Sequence, residues 1–271
     1  MIDLKALTIQ VCEVAREAGA YQKQEQARLH EEQVEQKHSH DYVSYVDKES
    51  ERMIVSRLKK LLPEAGFITE EGTEKRQSCS YQWVVDPLDG TTNYVHGYHS
   101  YAVCIGLRNA TEALLGVVYD VCLNECFYAW KGGGAWLDHT SIHVNSHHDF
   151  TQALLGIELP YDADDYRSTA LHLISHFYGL CGGIRMNGSA ALAICNVACG
   201  RFDGWMERGI GLWDHTASSA ILLEAGGRIT RYDGNPDYID HGDIIASNGT
   251  IHQALVEEIR NTPNEQSRLT D

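Results

Sequence analysis

The run Trp83-Val84-Val85-Asp86-Pro87-Leu88-Asp89-Gly90-Thr91-Thr92-Asn93 brings the most reactive residue types of the chain into one short space. An apolar strand ends at Val85, and the Asp-Pro and Asp-Gly pairs then signal a turn. Two carboxylates three residues apart on a tight turn can share a small hard cation. The Gly-Thr-Thr that follows can offer backbone N–H groups, and a helix start, to an anion. A dication beside an anion cradle is what phosphate-ester chemistry needs. Standing alone, Asp-Pro-x-Asp-Gly reads as an ordinary surface turn.

It does not stand alone. Carboxylates recur upstream in Phe67-Ile68-Thr69-Glu70-Glu71-Gly72 and downstream in Gly211-Leu212-Trp213-Asp214-His215-Thr216-Ala217. The latter runs into Ile221-Leu222-Leu223-Glu224-Ala225-Gly226-Gly227. With the central motif and its continuation Tyr94-Val95-His96-Gly97, these segments resemble the inositol monophosphatase family of metal-dependent phosphomonoesterases. The resemblance covers most of the chain.

It implies a layered αβαβα sandwich of the sugar-phosphatase type. An N-terminal α+β half, residues 1–144, would carry most metal ligands, and a C-terminal α/β half, residues 145–271, would carry Asp214 and the substrate-binding residues. The active site would lie between them. The implied cofactor is Mg²⁺, as two or three ions, held by Glu70, Asp86, the backbone carbonyl of Leu88, Asp89 and Asp214. Asp86 would bridge two ions. Thr91 and Asp47 match the water-activating pair of the family, in which a hydroxyl passes a hydrogen bond from the attacking water to a carboxylate. Gly90, Thr91 and Thr92 would donate to phosphate oxygens. Gly188-Ser189-Ala190 matches a turn that meets the hydroxyls of the substrate, Glu207 a carboxylate that binds the polyol, and Arg185 is a further candidate nearby. Each residue also has a plainer role open to it. Asp47, Ser189 and Asp214 suit helix N-caps, Glu70-Glu71 a solvated acidic edge, and Glu207 a surface charge. The chain departs from the family pattern at Thr69, where glycine is usual, at Tyr98-His99, where Phe-Pro is common, and at Asn187, where an apolar residue is common.

The expected reaction is hydrolysis of a small polyol phosphate monoester, myo-inositol 1-phosphate foremost, by in-line attack of a metal-activated water. Related phosphatases for histidinol phosphate, fructose 1,6-bisphosphate or 3'-phosphoadenosine 5'-phosphate are the enzymatic alternatives. The Thr-Thr-Asn-Tyr-Val-His-Gly continuation favours the inositol branch. A regulatory binding protein that keeps the fold is the alternative from another class. Lithium sensitivity and a homodimer follow from the same resemblance.

Composition sets wider bounds. The 271 residues are 43% hydrophobic and 22% charged, ordinary for a globular chain long enough for a large core. A formal net charge of -16 disfavours nucleic acid or an anionic membrane as partner. It is compatible with a phosphate substrate, because bound cations invert the local field. Met1-Ile2-Asp3-Leu4-Lys5 lacks the look of a signal peptide and no stretch is apolar enough to span a bilayer, so the expected compartment is the cytoplasm. The eight cysteines lack Cys-x-x-Cys spacing and read as buried free thiols rather than zinc ligands. The fourteen histidines are scattered, which argues against a His-ligated transition metal. Lys131-Gly132-Gly133-Gly134 reads as a turn, since it lacks the strand-to-helix context of a nucleotide loop.

The elements that must position these residues are also legible. Leu4, Leu7, Val11, Val14 and Ala18 fall at helical spacing. The polar stretch 22–40 reads as a surface helix or loop, and Asp47 as the N-cap of a second helix that Pro63 and Gly66 end. Apolar runs at 101–107, 113–119 and 125–130 predict an antiparallel meander. From about Asn145 strands and helices alternate, with strands at 153–158, 183–186, 204–207, 228–230 and 244–246. The intervening helices cover 168–178 and begin near Ala190, Asp214 and Gln253.

Overall fold

In the computed structural model, which describes residues 2–28, 34–38, 41–74, 79–161 and 163–261, the first apolar stripe becomes helix α1, Leu4–Gln26. Asp3 caps it by accepting the Ala6 N–H at 3.0 Å. The polar stretch continues α1 and then enters a hairpin of β1, Val34–His38, and β2, Asp41–Ser44; residues 29–33 and 39–40 lie outside the described residues. Helix α2, Tyr45–Leu61, starts earlier than expected. Ser44 is its N-cap, and Asp47 is the third helical residue, reaching back to the Ser44 N–H at 2.8 Å. The reciprocal Ser–Asp pair occupies the place where a lone Asp cap was expected.

The next strands are β3, Gly66–Thr69, and β4, Gln82–Asp89, followed by the short helix α3, Thr91–Val95. The expected meander follows as β5, Ala102–Arg108, β6, Ala113–Asp120, and β7, Glu125–Trp130. Two short strands, β8, Ala135–Leu137, and β9, Thr140–Ile142, complete a seven-stranded sheet in sequential order. Only its β3–β4 pair is parallel. The glycine turn between β7 and β8 is held by Glu224, whose carboxylate accepts the Gly132 and Gly134 N–H groups at 2.8 and 2.9 Å.

The second half alternates as expected: β10, Leu154–Ile157; α4, Ala163–Phe177; β11, Gly183–Arg185; α5, Ala190–Ala198; β12, Gly204–Glu207; α6, Leu212–Glu224; β13, Arg228–Arg231; β14, Ile244–Ser247; α7, His252–Arg260. Its five strands run in the order β11-β10-β12-β14-β13. Helix α4 begins at Ala163 rather than 168 because its first turn is polar and leaves no apolar signal.

Three cores stack the layers in the order αβαβα. Val11, Ala15 and Leu58 of α1 and α2 pack on Val85 and Ile105 of the larger sheet. Ala191, Ile194 and Ile221 of α5 and α6 lie between Cys104 and Val118 on one side and Trp205 and Ala246 on the other. Leu173, Phe177, Leu255 and Ile259 of α4 and α7 cover Leu155, Met206 and Ile245. A helix between two sheets must be apolar all round, and α5 buries eight of its nine residues. All eight cysteines are free, but only Cys12, Cys104, Cys126 and Cys195 are buried; Cys79 is exposed. Among the described residues no helix is long and apolar enough to cross a membrane.

Helix α6 lies unusually close to the larger sheet. A Cβ on Gly116 would sit 2.0 Å from the Ala217 carbonyl oxygen. Gly116→Ala should therefore push α6 off the sheet and cost ~1–3 kcal/mol, the usual range for overpacking. Urea unfolding should show this loss, and because α6 carries Asp214 the turnover number should fall with it.

Candidate active site and metal centre

Asp86 and Asp89 stand three apart on β4, and in a regular strand an odd spacing sends side chains to opposite faces. The ladder to β5 resolves this. Asp86 pairs with Cys104 and Asp89 with Ala102, so β4 spends three steps where β5 spends two. This bulge turns both carboxylates to one side. Pro87, without an N–H, falls inside it, and the Leu88 N–H donates to Asp86 Oδ1 at 2.8 Å. Asp214, in the first turn of α6, closes the group: Asp86, Asp89 and Asp214 each place an oxygen within 4.8 Å of the others.

Each carboxylate is held by its second oxygen or by a turn. Asp89 Oδ2 accepts the Ser189 hydroxyl at 2.5 Å and the Ala191 N–H at 2.9 Å, both at the start of α5. Asp214 Oδ2 accepts the Gly211 N–H at 2.6 Å; Gly211 is the N-cap of α6, and Asp214 lies three residues inside. Asp47 Oδ2 accepts the Ser44 N–H and hydroxyl, while its Oδ1 accepts the Thr91 hydroxyl at 3.0 Å. The Thr91 Oγ1 also lies 2.9 Å from the Leu88 carbonyl oxygen. Gly90 takes φ of 93°, and a Cβ there would meet the Ser100 and Gly188 carbonyl oxygens at 2.7 and 3.0 Å. Only glycine fits this point, where the end of β4 meets the turn before α5.

These groups line a cleft of about 350 Å³ with Glu70, Thr92, Glu158 and Glu207. Among the described residues lining it there are six carboxylates and no Lys, Arg or His. Burial and the neighbouring charges of Glu70, Asp89 and Asp214 hold the Asp86 carboxyl well above the usual range. Burial and the charges of Asp89 and Glu70 do the same to Asp214. Burial pushes Asp89 up to about 6 against the pull of its hydrogen bonds to α5. Burial first, then Glu158, Asp214 and Asp89, raises Glu207. A cluster of carboxylates that resists its own charge is the donor set that suits a hard cation. Oxygens on one Mg²⁺ lie at most ~4.2 Å apart at a bond length of ~2.1 Å, close to the spacing these side chains already have.

The sequence-based candidates therefore divide. Glu70, Asp86, Leu88, Asp89, Gly90, Thr91, Thr92, Gly188, Ser189, Ala190, Glu207 and Asp214 all line the cleft, and Asp47 stands behind Thr91. Arg185 does not join them. It is exposed on the edge strand β11, with its guanidinium donating to the Ile184 carbonyl at 2.9 Å. Glu158 was missed. Its buried carboxylate, one residue past β10, accepts the Asn187 N–H at 2.5 Å and the Gly188 N–H at 3.2 Å. An acidic residue at the carboxyl end of a parallel strand was the available signal. Asn93 has a role that its place in the motif does not signal; its amide donates to the Ser100 and Asn187 carbonyls at 2.8 and 3.0 Å and ties the turn before α5 to the loop before β5.

Comparison with known proteins agrees with this geometry. The model of the inositol monophosphatase family matches residues 3–264. The chain belongs to the inositol monophosphatase family. It is 37% identical to the Nus factor SuhB of Vibrio cholerae over 92% of this chain and 94% of that one. It is 32% identical to the inositol-1-monophosphatase of Mesorhizobium japonicum, over 94% and 96% of the two chains. The solved structure of an inositol monophosphatase from Anabaena superposes with a TM-score of 0.85 at 33% identity, covering 98% of this chain and all of that one. As a member of the family, the protein is a metal-dependent phosphoric monoester hydrolase. Its layered fold is that of the family's solved structures.

Mutual repulsion within the cluster has a measurable consequence. Asp214→Asn keeps an acceptor for the Gly211 N–H and removes one of three converging charges. In chelator the variant should melt above the wild-type protein. Added Mg²⁺ should stabilise the wild-type protein by ~2.7 kcal/mol at a hundredfold excess over Kd, and its melting temperature should rise accordingly. It should raise that of the variant far less. Thermal scans with and without chelator check both signs.

Proposed function

We propose that the protein hydrolyses a small polyol phosphate monoester, with myo-inositol 1-phosphate the leading substrate and Mg²⁺, as two or three ions, the cofactor. The observation that carries this reading is the convergence of Asp86, Asp89 and Asp214 beside the hydrogen-bonded Thr91–Asp47 pair. Glu70, Asp86, the Leu88 carbonyl, Asp89 and Asp214 would hold the metal. When bound, Mg²⁺ neutralises the phosphate, lowers the pKa of a water and stabilises the leaving alkoxide.

The protein's own groups do the rest. Thr91 Oγ1 orients the attacking water and relays its hydrogen bond to Asp47. Burial, opposed by bonds from Ser44 and Thr91, raises the pKa of Asp47 and makes it a better proton acceptor. Thr92 Oγ1 is buried in the cleft lining without a hydrogen-bond partner among the described residues, as suits a donor reserved for a phosphate oxygen. Glu207 accepts no hydrogen bond from the described residues and faces the cleft from the end of β12, so it can take hydroxyl donors from a polyol. A homodimer belongs to the same reading, by likeness to the family.

A second reading, a binding role kept beside catalysis, is favoured by the 37%-identical Vibrio cholerae relative that is named a Nus factor. Asp89→Asn separates the two. It should cost several orders of magnitude in turnover, and a cellular role that survives this loss would belong to binding.

A phosphate-release screen over polyol, sugar, amino-alcohol and nucleotide phosphates tests the substrate class. Rates at subsaturating Mg²⁺ should fall on adding millimolar Li⁺; unchanged rates would count against the inositol branch. Glu207→Ala should lower kcat/KM for a polyol phosphate by ~1–3 kcal/mol for each lost hydroxyl partner and spare a simple aryl phosphate. Equal losses on both would make Glu207 structural.

A further inference from the structure

We propose that Glu51 is a positioning residue for the metal centre: it fixes the backbone of the loop that carries Glu70, and so sets cation affinity without touching cation or substrate. The inference rests on the metal-dependent reading above. Glu51 lies on α2 one turn after Asp47 and is wholly buried. Its carboxylate accepts the Glu71 N–H at 2.7 Å, the Thr73 N–H at 2.8 Å and the Thr73 hydroxyl at 2.6 Å. On the other side, the Glu70 N–H donates to the Val85 carbonyl at 3.2 Å, next to Asp86. Glu70 is therefore the single residue between two anchors, one on the sheet and one on α2.

The same helix face holds the opposite wall of the site. Asp47 takes the Thr91 hydroxyl, and Ser50 accepts from Gln22, whose amide also donates to the Pro87 carbonyl at 2.6 Å. Residues four apart on a helix stand ~5–6 Å apart between Cβ atoms. Asp47 and Glu51 thus fix the separation between the Thr91 turn and the 71–73 loop. A buried carboxylate is costly unless donors satisfy it, and backbone N–H donors to a charged acceptor give short, directional bonds. Glutamine cannot replace it in kind, because one of its two terminal atoms donates and would face an N–H.

The test uses the full chain and Mg²⁺ alone. Mg²⁺ binding is followed by calorimetry and by the rise in melting temperature, and turnover is measured alongside. Glu51→Gln should raise the Mg²⁺ concentration at half-saturation by ~10–100-fold, the usual effect of losing a partner that orients a metal ligand. At saturating Mg²⁺ the substrate KM should stay near the wild-type value. Thr73→Val, which leaves the buried carboxylate and both N–H donors in place, should shift the midpoint the same way by less, and it decides the matter if Glu51→Gln does not fold. Variants that melt lower but keep the wild-type Mg²⁺ midpoint overturn the assignment of Glu51 and leave the metal reading standing. A wild-type protein that neither binds nor needs Mg²⁺ overturns both.

Discussion

Three carboxylates with oxygens within 4.8 Å of one another repel strongly once buried, and the rest of this structure is arranged around that repulsion. No basic side chain among the described lining residues neutralises them. What offsets the charge instead is oriented N–H groups. Asp89 accepts from the first turn of α5 and Asp214 from the N-cap of α6, the positive ends of their helix dipoles. Dipoles oppose the repulsion in part but do not cancel it, so the cluster keeps a negative charge that favours a cation. A lysine in the cleft would have relaxed the cluster and removed the reason to bind metal.

This arrangement dictates the layers. For two helices to start at the carboxylates, both must lie between the sheets and aim the same ends at the C-terminal end of β4. A helix in that place has no solvent face, which is why α5 buries eight of nine residues. It must also approach closely, which is why Gly116 faces the backbone of Ala217. The composition of the middle layer follows from the electrostatics at its ends.

Much of this was legible because it is local. Periodicity revealed α1, the meander and the alternating second half, but the turn signals at Asp86–Gly90 mark a bulge inside β4, which runs on to Asp89 past the strand end expected at Val85. The errors have local causes too. Ser44 and Asp47 are both good cappers, and only the hydrogen bond between them decides which residue is the cap. What was not legible is long-range. Asp89 and Ser189 are 100 residues apart, and Glu158 and Asn187 are 29 apart. A carboxylate that serves as a backbone clamp looks in sequence like any surface charge. Arg185 shows the converse, since its closeness in sequence to Gly188 suggested the cleft while its exposed place on β11 carries it elsewhere.

The two sides of the cleft are built differently. On the side of Asp86, Asp89 and Asp214 the carboxylates are held by N–H and hydroxyl donors, so that geometry leaves little room to vary. On the opposite side Glu158 fixes the Asn187–Gly188 turn through main-chain N–H groups, but Leu159 and Tyr161 stand half exposed at the rim and Glu207 is held by no hydrogen bond from the described residues. Substitutions there change the rim of the cleft and leave the carboxylate cluster in place. The departures at Tyr98-His99 and Asn187 also fall outside the carboxylate cluster. Asn187 contributes its backbone to both Glu158 and Asn93, so its side chain can change while the turn it belongs to stays fixed.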